Sequence, residues 1–451
     1  MQTNLSWPSK AIFYHIYPLG LCDVPTHNDF HAQPVERLTK LYDWIPNIKN
    51  LGCNALYLGP LFQSSQHGYD TADYYHLDKR LGTNETLRYF SKELQKNGIK
   101  LVLDGVFNHV GRDFWAFKDV QNNGQNSRFV DWFSGINFHK KSPCGDNFNY
   151  DCWSGHYNLV KLNLKNDEVK NHIFGAVEMW MDEFGIEGLR LDVAEVMDKE
   201  FLAELSKFCK LKNPNFWLMG EMIHGDYNQI ANENMLDSAT NYEAYKGLYS
   251  SHNDANYFEI AHTFSRQFSQ EGIYQHLKLY NFVDNHDVTR INSILKNEVH
   301  LFPIYALLYT MVGLPSVYYG SEFGQKGKKK GADDSHLRPA IDVHQNRPPI
   351  FDYIKKLSEI RLSNVALQVG KYEQLYLTNQ QFAFLRYTEN DFNIVAVNSS
   401  DNEINISMSL DLPEGTILQD LLDSKIKVVV HNKKIRIDNI PACGARIFAK
   451  K

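Results

Sequence analysis

From residue 11 to about residue 350, short apolar runs alternate with longer amphipathic stretches, and this alternation constrains the fold more than any other feature. A strand followed by a helix-length segment, repeated, builds βα units, because parallel neighbours need a long crossover each time. Eight runs have strand length: residues 12–17, 55–58, 100–104, 186–191, 216–219, 235–240, 279–283 and 316–318. Eight such strands predict a closed (β/α)8 TIM barrel, whose functional side chains gather at the C-terminal strand ends.

The segment between Asn108 and Asn163 is polar, glycine-rich and aromatic, and far longer than an ordinary connection. It reads as a subdomain inserted after strand three that overhangs the barrel mouth. Beyond about Leu357 the texture changes to short alternating runs (381–387, 392–397, 404–409) broken by Asn, Asp and Gly, as in an all-β sandwich. The expected organisation is a catalytic barrel of residues 1–109 and 163–357, an insert of 110–162 and a C-terminal β domain of 358–451.

A chain of 451 residues, 43% hydrophobic, buries a large core and a second, smaller one. Its net charge of −6, with acids and bases mixed, argues against nucleic-acid or membrane partners and for a neutral ligand. No apolar run reaches the roughly 18 residues of a membrane span, and the start lacks a signal-peptide layout. Six scattered cysteines read as free thiols of a cytoplasmic protein, with Cys144 and Cys152 a lesser candidate pair. No spacing typical of zinc occurs.

Three acids, Asp192, Glu221 and Asp287, follow three of the apolar runs. Arg190 and Asp192 are two apart on a strand, so they share a face while Leu189 and Leu191 take the other. A guanidinium beside a carboxylate favours its ionised form, as a nucleophile requires; a structural ion pair is the alternative. Glu221 follows the apolar run through Trp217 and Met219, whose neighbourhood would desolvate its carboxyl and favour the protonated form of a general acid. Two such carboxyls flanking a bond describe a glycosidase. His109 and His286, each at a strand end, suit hydrogen bonds to vicinal hydroxyls. Tyr69 offers a flat face for the CH side of a pyranose, with Trp153 and Tyr157 as further candidates.

Four ordered motifs, Asp104-Gly-Val-Phe-Asn-His109, Gly188-Leu-Arg-Leu-Asp192, Gly220-Glu221 and Phe282-Val-Asp-Asn-His-Asp287, resemble those of the α-amylase family of retaining glycosidases, glycoside hydrolase family 13. Gly68-Tyr-Asp-Thr-Ala-Asp-Tyr74 and Pro315-Ser-Val-Tyr-Tyr-Gly-Ser-Glu322 add to the likeness. The resemblance implies Asp192 as nucleophile, Glu221 as acid/base and Asp287 as the acid that holds and distorts the sugar. It further implies sugar binding by Tyr69, His109, Arg190, His286, Asp334 and Arg338. Leu159-Val-Lys-Leu-Asn163 looks more like the neopullulanase and cyclomaltodextrinase group. Secreted amylases usually carry a calcium-holding aspartate where Lys161 stands, so the resemblance implies no cofactor and no calcium. Val193-Ala-Glu-Val196 departs from the family pattern on the leaving-group side, and the oligomeric state does not carry over.

The resemblance implies hydrolysis of α-1,4-glucosidic bonds in maltodextrins, cyclodextrins or pullulan by double displacement. An α-glucosidase or 4-α-glucanotransferase uses the same acids and stays open, as does a non-catalytic glucan-binding protein, which the complete set of acids argues against.

Overall fold

The computed structural model describes residues 5–331 and 333–451. Its parallel strands are β1 (Phe13–Ile16), β2 (Ala55–Leu58), β3 (Lys100–Gly105), β4 (Gly188–Leu191), β5 (Trp217–Gly220), β6 (Ser238–Ala239), β7 (Tyr280–Asn281) and β8 (Leu314–Tyr318). They pair in order from β1 to β6, and β8 joins β1 to β7. A parallel bridge from Thr240 to Tyr280 closes the ring. Each strand overlaps one of the apolar runs, and the fold is a TIM barrel.

Period-two alternation sorts each strand between two cores. Phe13, Tyr57, Val102, Trp217, Met219 and Tyr280 fill the barrel interior. Leu56, Leu103, Leu189 and Leu218 point outward, into the layer beneath the helices. The helix Asp167–Phe184 shows how the outer layer is built. Asn166 caps it by accepting the N–H groups of Glu168 and Val169, and Gly185, at φ 58°, ends it in the left-handed region.

After β3 the chain enters an antiparallel sheet of His109–Gly111, Cys152–Trp153 and His156–Lys161, with a helix, Trp115–Asn123, beside it. Gly111 makes the seat close: a Cβ there would lie 2.4 Å from the Asp70 carbonyl oxygen.

The C-terminal module begins its first strand at Lys371, after the helices Pro349–Ser363 and Val365–Val369. Six antiparallel strands form its main sheet, and a two-stranded sheet, Ile404–Ser409 with Lys434–Ile440, accompanies it. Strand Phe392–Asn398 is buried along most of its length because both faces are covered. Val395 and Val397 join the barrel-side core, while Ile394 and Ala396 join the module's own. Arg361 and Arg386 fasten the junction by donating to the Tyr309 and Thr310 carbonyls at the end of helix Leu301–Thr310, which also suits the negative end of the helix dipole. Among the described residues no helix is long and apolar enough to cross a membrane.

Candidate active site

The strand geometry that sends Phe13 and Trp217 inward also sends Arg190, Asp192 and Glu221 inward at the C-terminal end of the barrel. All three are at least 94% buried. One guanidinium organises them. Arg190 Nη1 donates to Asp104 Oδ1 at 2.9 Å and to Asp192 Oδ1 at 2.7 Å, and Nη2 lies 2.8 Å from Glu221 Oε1. The residues therefore form a four-membered cluster, with Glu221 bound to the arginine that the sequence reading assigned to Asp192 alone. Trp217 and Met219 belong to the barrel interior, two pleats and one pleat before Glu221 on the same face.

Asp104, which opens the first motif, was not among the expected site residues. It accepts from Arg190, from Tyr57 Oη at 2.7 Å and from Tyr69 Oη at 3.1 Å. Its inward position on β3, level with Arg190, was the available signal.

Burial pushes the Asp192 carboxyl well above its ordinary range; Arg190 opposes the shift, and the charges of Glu221 and Asp104 add to it. Arg190 by itself thus does not fix Asp192 as an ion, contrary to the local argument from sequence. Three carboxyls around one cation in a dry site compete for the same guanidinium, so Arg190 is shared rather than dedicated to Asp192. Val193 takes φ 43° and ψ 41°, a left-handed conformation costing a β-branched residue roughly 1–3 kcal/mol. In that conformation its N–H donates to Glu221 Oε2 at 2.9 Å.

His109 Nε2 lies 3.8 Å from Asp192 Oδ2 and has no hydrogen-bond partner. Burial pushes its imidazole down to about 3, so it is neutral. On the other side, His286 lies nearly parallel to two tyrosine rings, Tyr17 with centroids 5.9 Å away and Tyr69 with centroids 5.6 Å away. Tyr69 Oη bonds His286 Nε2, which is also 3.0 Å from Asp287 Oδ2.

Asp287 stands at the mouth with 30% of its side chain exposed. Burial would raise its carboxyl, but His286, Arg338 and Arg190 outweigh burial and hold it below the usual carboxylate range. Arg338 Nη2 bonds Asp287 Oδ1 at 2.8 Å and Asp334 Oδ2 at 3.1 Å, so the pair expected beyond strand eight reaches the cluster. Gly20 permits this approach, since a Cβ there would fall 2.0 Å from the Arg338 carbonyl oxygen. Lys329, absent from the expected set, donates to the Asp287 carbonyl at 2.9 Å.

These groups line one cleft of about 810 Å³. Tyr69, His109, Asp192, Glu221, Asp287, Asp334 and Arg338 face it, together with Trp153 and His156 from the insert. Arg190 and His286 stand behind that lining. Tyr157 packs instead against Tyr150, ring centroids 5.5 Å apart. Among the described residues, no group of three or more His, Cys, Asp or Glu side chains is placed to hold a metal ion. Lys161 pairs with His109 across the insert sheet.

The model of the "Alpha amylase, catalytic domain" family matches residues 37–350. The cyclomaltodextrinase of Thermoanaerobacter pseudethanolicus is 31% identical over 424 residues, covering 88% of this chain and 71% of that protein. Neopullulanase 2 of Thermoactinomyces vulgaris is 29% identical over 464 residues, 96% of this chain and 76% of its own length. Among solved structures, the cyclic alpha-maltosyl-(1→6)-maltose hydrolase from Arthrobacter globiformis superposes with a TM-score of 0.81 at 26% identity, covering 99% of each chain. With its barrel, its insert after strand three and its acid cluster around Arg190, the chain belongs to the α-amylase family and is a glycosidase.

Proposed function

We propose that the cleft hydrolyses α-1,4-glucosidic bonds of maltodextrins, cyclodextrins and pullulan included, by double displacement. The observation that carries this reading is the single guanidinium spanning Asp192 and Glu221 on the cleft floor. Carboxyls held by one fork are close neighbours, as retaining glycosidases need; inverting enzymes leave room for a water between theirs. The names of the similar proteins, cyclomaltodextrinase and neopullulanase, support the substrate class. All six cysteines are free thiols, with Cys144 exposed, which fits a reducing cytoplasm.

In the first step the Asp192 carboxylate attacks the anomeric carbon, the glycosidic C–O bond breaks, and Glu221 as general acid gives a proton to the leaving oxygen. In the second, water attacks the glycosyl ester, Glu221 takes back a proton, and Asp192 is released. Arg190 keeps both carboxyls in register throughout. His109, neutral and unpaired at Nε2, and Asp287, ionised at the mouth, bind the hydroxyls of the sugar under attack.

The test is a product time course on maltohexaose, β-cyclodextrin and pullulan, with the anomer of the first product followed by NMR. Retained α-anomers from the wild type, with loss of turnover in Asp192→Asn and Glu221→Gln, are expected. Full activity in either variant, or an inverted first product, would overturn the assignment. Products longer than the substrate would instead mark a transferase.

A further inference from the structure

The insert hairpin turns through Ser154 and Gly155, both in the left-handed region at φ 48° and 81°. Such a two-residue reversal faces its flanking residues across the strands, and here these are Trp153 and His156. Their rings stack with centroids 5.5 Å apart and 20° from parallel. Trp153 also meets the His109 ring, at 5.9 Å and 34°, and His109 Nε2 is 3.8 Å from Asp192 Oδ2. Three rings thus lead from the exposed hairpin tip to the buried carboxylate, and all three line the cleft.

A pyranose presents an apolar CH face and a rim of hydroxyls. The insert contributes Trp153 and His156 to the cleft, beside Tyr17 and Tyr69 from the barrel loops, while the segments after β7 and β8 contribute the charged groups Asp287, Lys329, Asp334 and Arg338. Trp153 touches the His109 ring, and His109 in turn approaches Asp192, so a sugar on the indole would adjoin the unit under attack.

We propose that Trp153 is a specificity-determining residue that stacks on a glucosyl unit beyond the one bound at Asp192, and that His156 is the positioning residue that holds the indole. The inference rests on the glucan-hydrolase reading and deepens it: the site selects oligosaccharides over substrates with a single sugar. An indole face lost from such a contact weakens binding by about tenfold.

The experiment compares wild type, Trp153→Ala, Trp153→Phe and His156→Ala on maltohexaose and on α-glucosyl fluoride, which carries a single sugar. Trp153→Ala should raise the maltohexaose KM about tenfold with kcat within about twofold. It should leave α-glucosyl fluoride hydrolysis and the melting temperature unchanged. Trp153→Phe should recover most of the loss, and His156→Ala should raise KM by a smaller factor. An unchanged maltohexaose KM in Trp153→Ala, or an equal loss on both substrates, would overturn the proposal. A wild type that turned over neither substrate would sink the hydrolase reading itself, and this inference with it.

Discussion

Two buried acids of this barrel share a desolvated setting and differ in everything else that matters for chemistry. Asp192 lies inside the ring with a guanidinium beside it and an open cleft above. Glu322 follows β8 and is sealed, fully buried, against the outer face of β1. There Tyr14 Oη and Asn47 Nδ2 donate to its Oε1 at 2.5 and 2.8 Å, and Oε2 has no partner. Burial raises both, Glu322 up to about 7. A raised carboxyl therefore reports desolvation; what marks the first site as chemical is a shared cation and access for a substrate.

The comparison breaks most easily at the open site. Asp192→Asn should lower kcat/KM on maltohexaose by about 10⁴-fold or more, with the fold retained by circular dichroism, because the covalent step has no other nucleophile. Glu322→Gln in the same assay should stay within about twofold; a comparable collapse would erase the distinction between the two acids.

Arg190→Met should come next. It strands three buried carboxyls without their cation, so a loss of about 3–5 kcal/mol in denaturant unfolding is expected along with activity. Retained stability would mean that the cluster is hydrated enough to do without its arginine.

Glu322→Gln tests the sealed site through pH. A folded pKa of about 7 against an ordinary 4.5 means that the folded state binds the extra proton. The associated stability is fully present below about pH 4.5 and is lost as pH rises through about 7. Wild type should then lose roughly 3 kcal/mol relative to the variant between pH 4.5 and pH 8, at about 1.4 kcal/mol per pKa unit. Parallel stability-versus-pH curves for the two proteins would show that Glu322 does not titrate with folding.

The smallest effect is expected at Tyr242, whose hydroxyl is 3.5 Å from Glu221 Oε1 and accepts from Asn285 Nδ2 at 3.1 Å. A contact that long contributes little, so Tyr242→Phe should change kcat/KM by about fivefold or less. A larger loss, confined to the alkaline limb of the pH profile, would make Tyr242 a positioning residue for Glu221.

Much of this architecture was legible in the residues, for local reasons. Strand β4 could be read because Leu189 and Leu191 alternate with Arg190 and Asp192, and that pattern needs no partner to be recognised. The insert helix Trp115–Asn123 was hidden. Its buried positions Ala116, Phe117 and Val120 keep helical spacing, but only over nine residues set among Gly and Asn. Tyr17, Tyr69 and His286 belong to three distant segments, and nothing local in any of them announces that their rings lie parallel.

The sequence by itself determined the order of the acids along the chain and the face of the barrel on which they emerge, because side-chain alternation is a property of each strand alone. Only the tertiary structure decided that one arginine serves Asp104, Asp192 and Glu221 together, that burial outweighs that arginine at Asp192, and that Trp153 rather than Tyr157 faces the cleft. Coulomb and desolvation energies depend on distances between strands. Those distances exist only once the ring has closed and the insert has folded over its mouth.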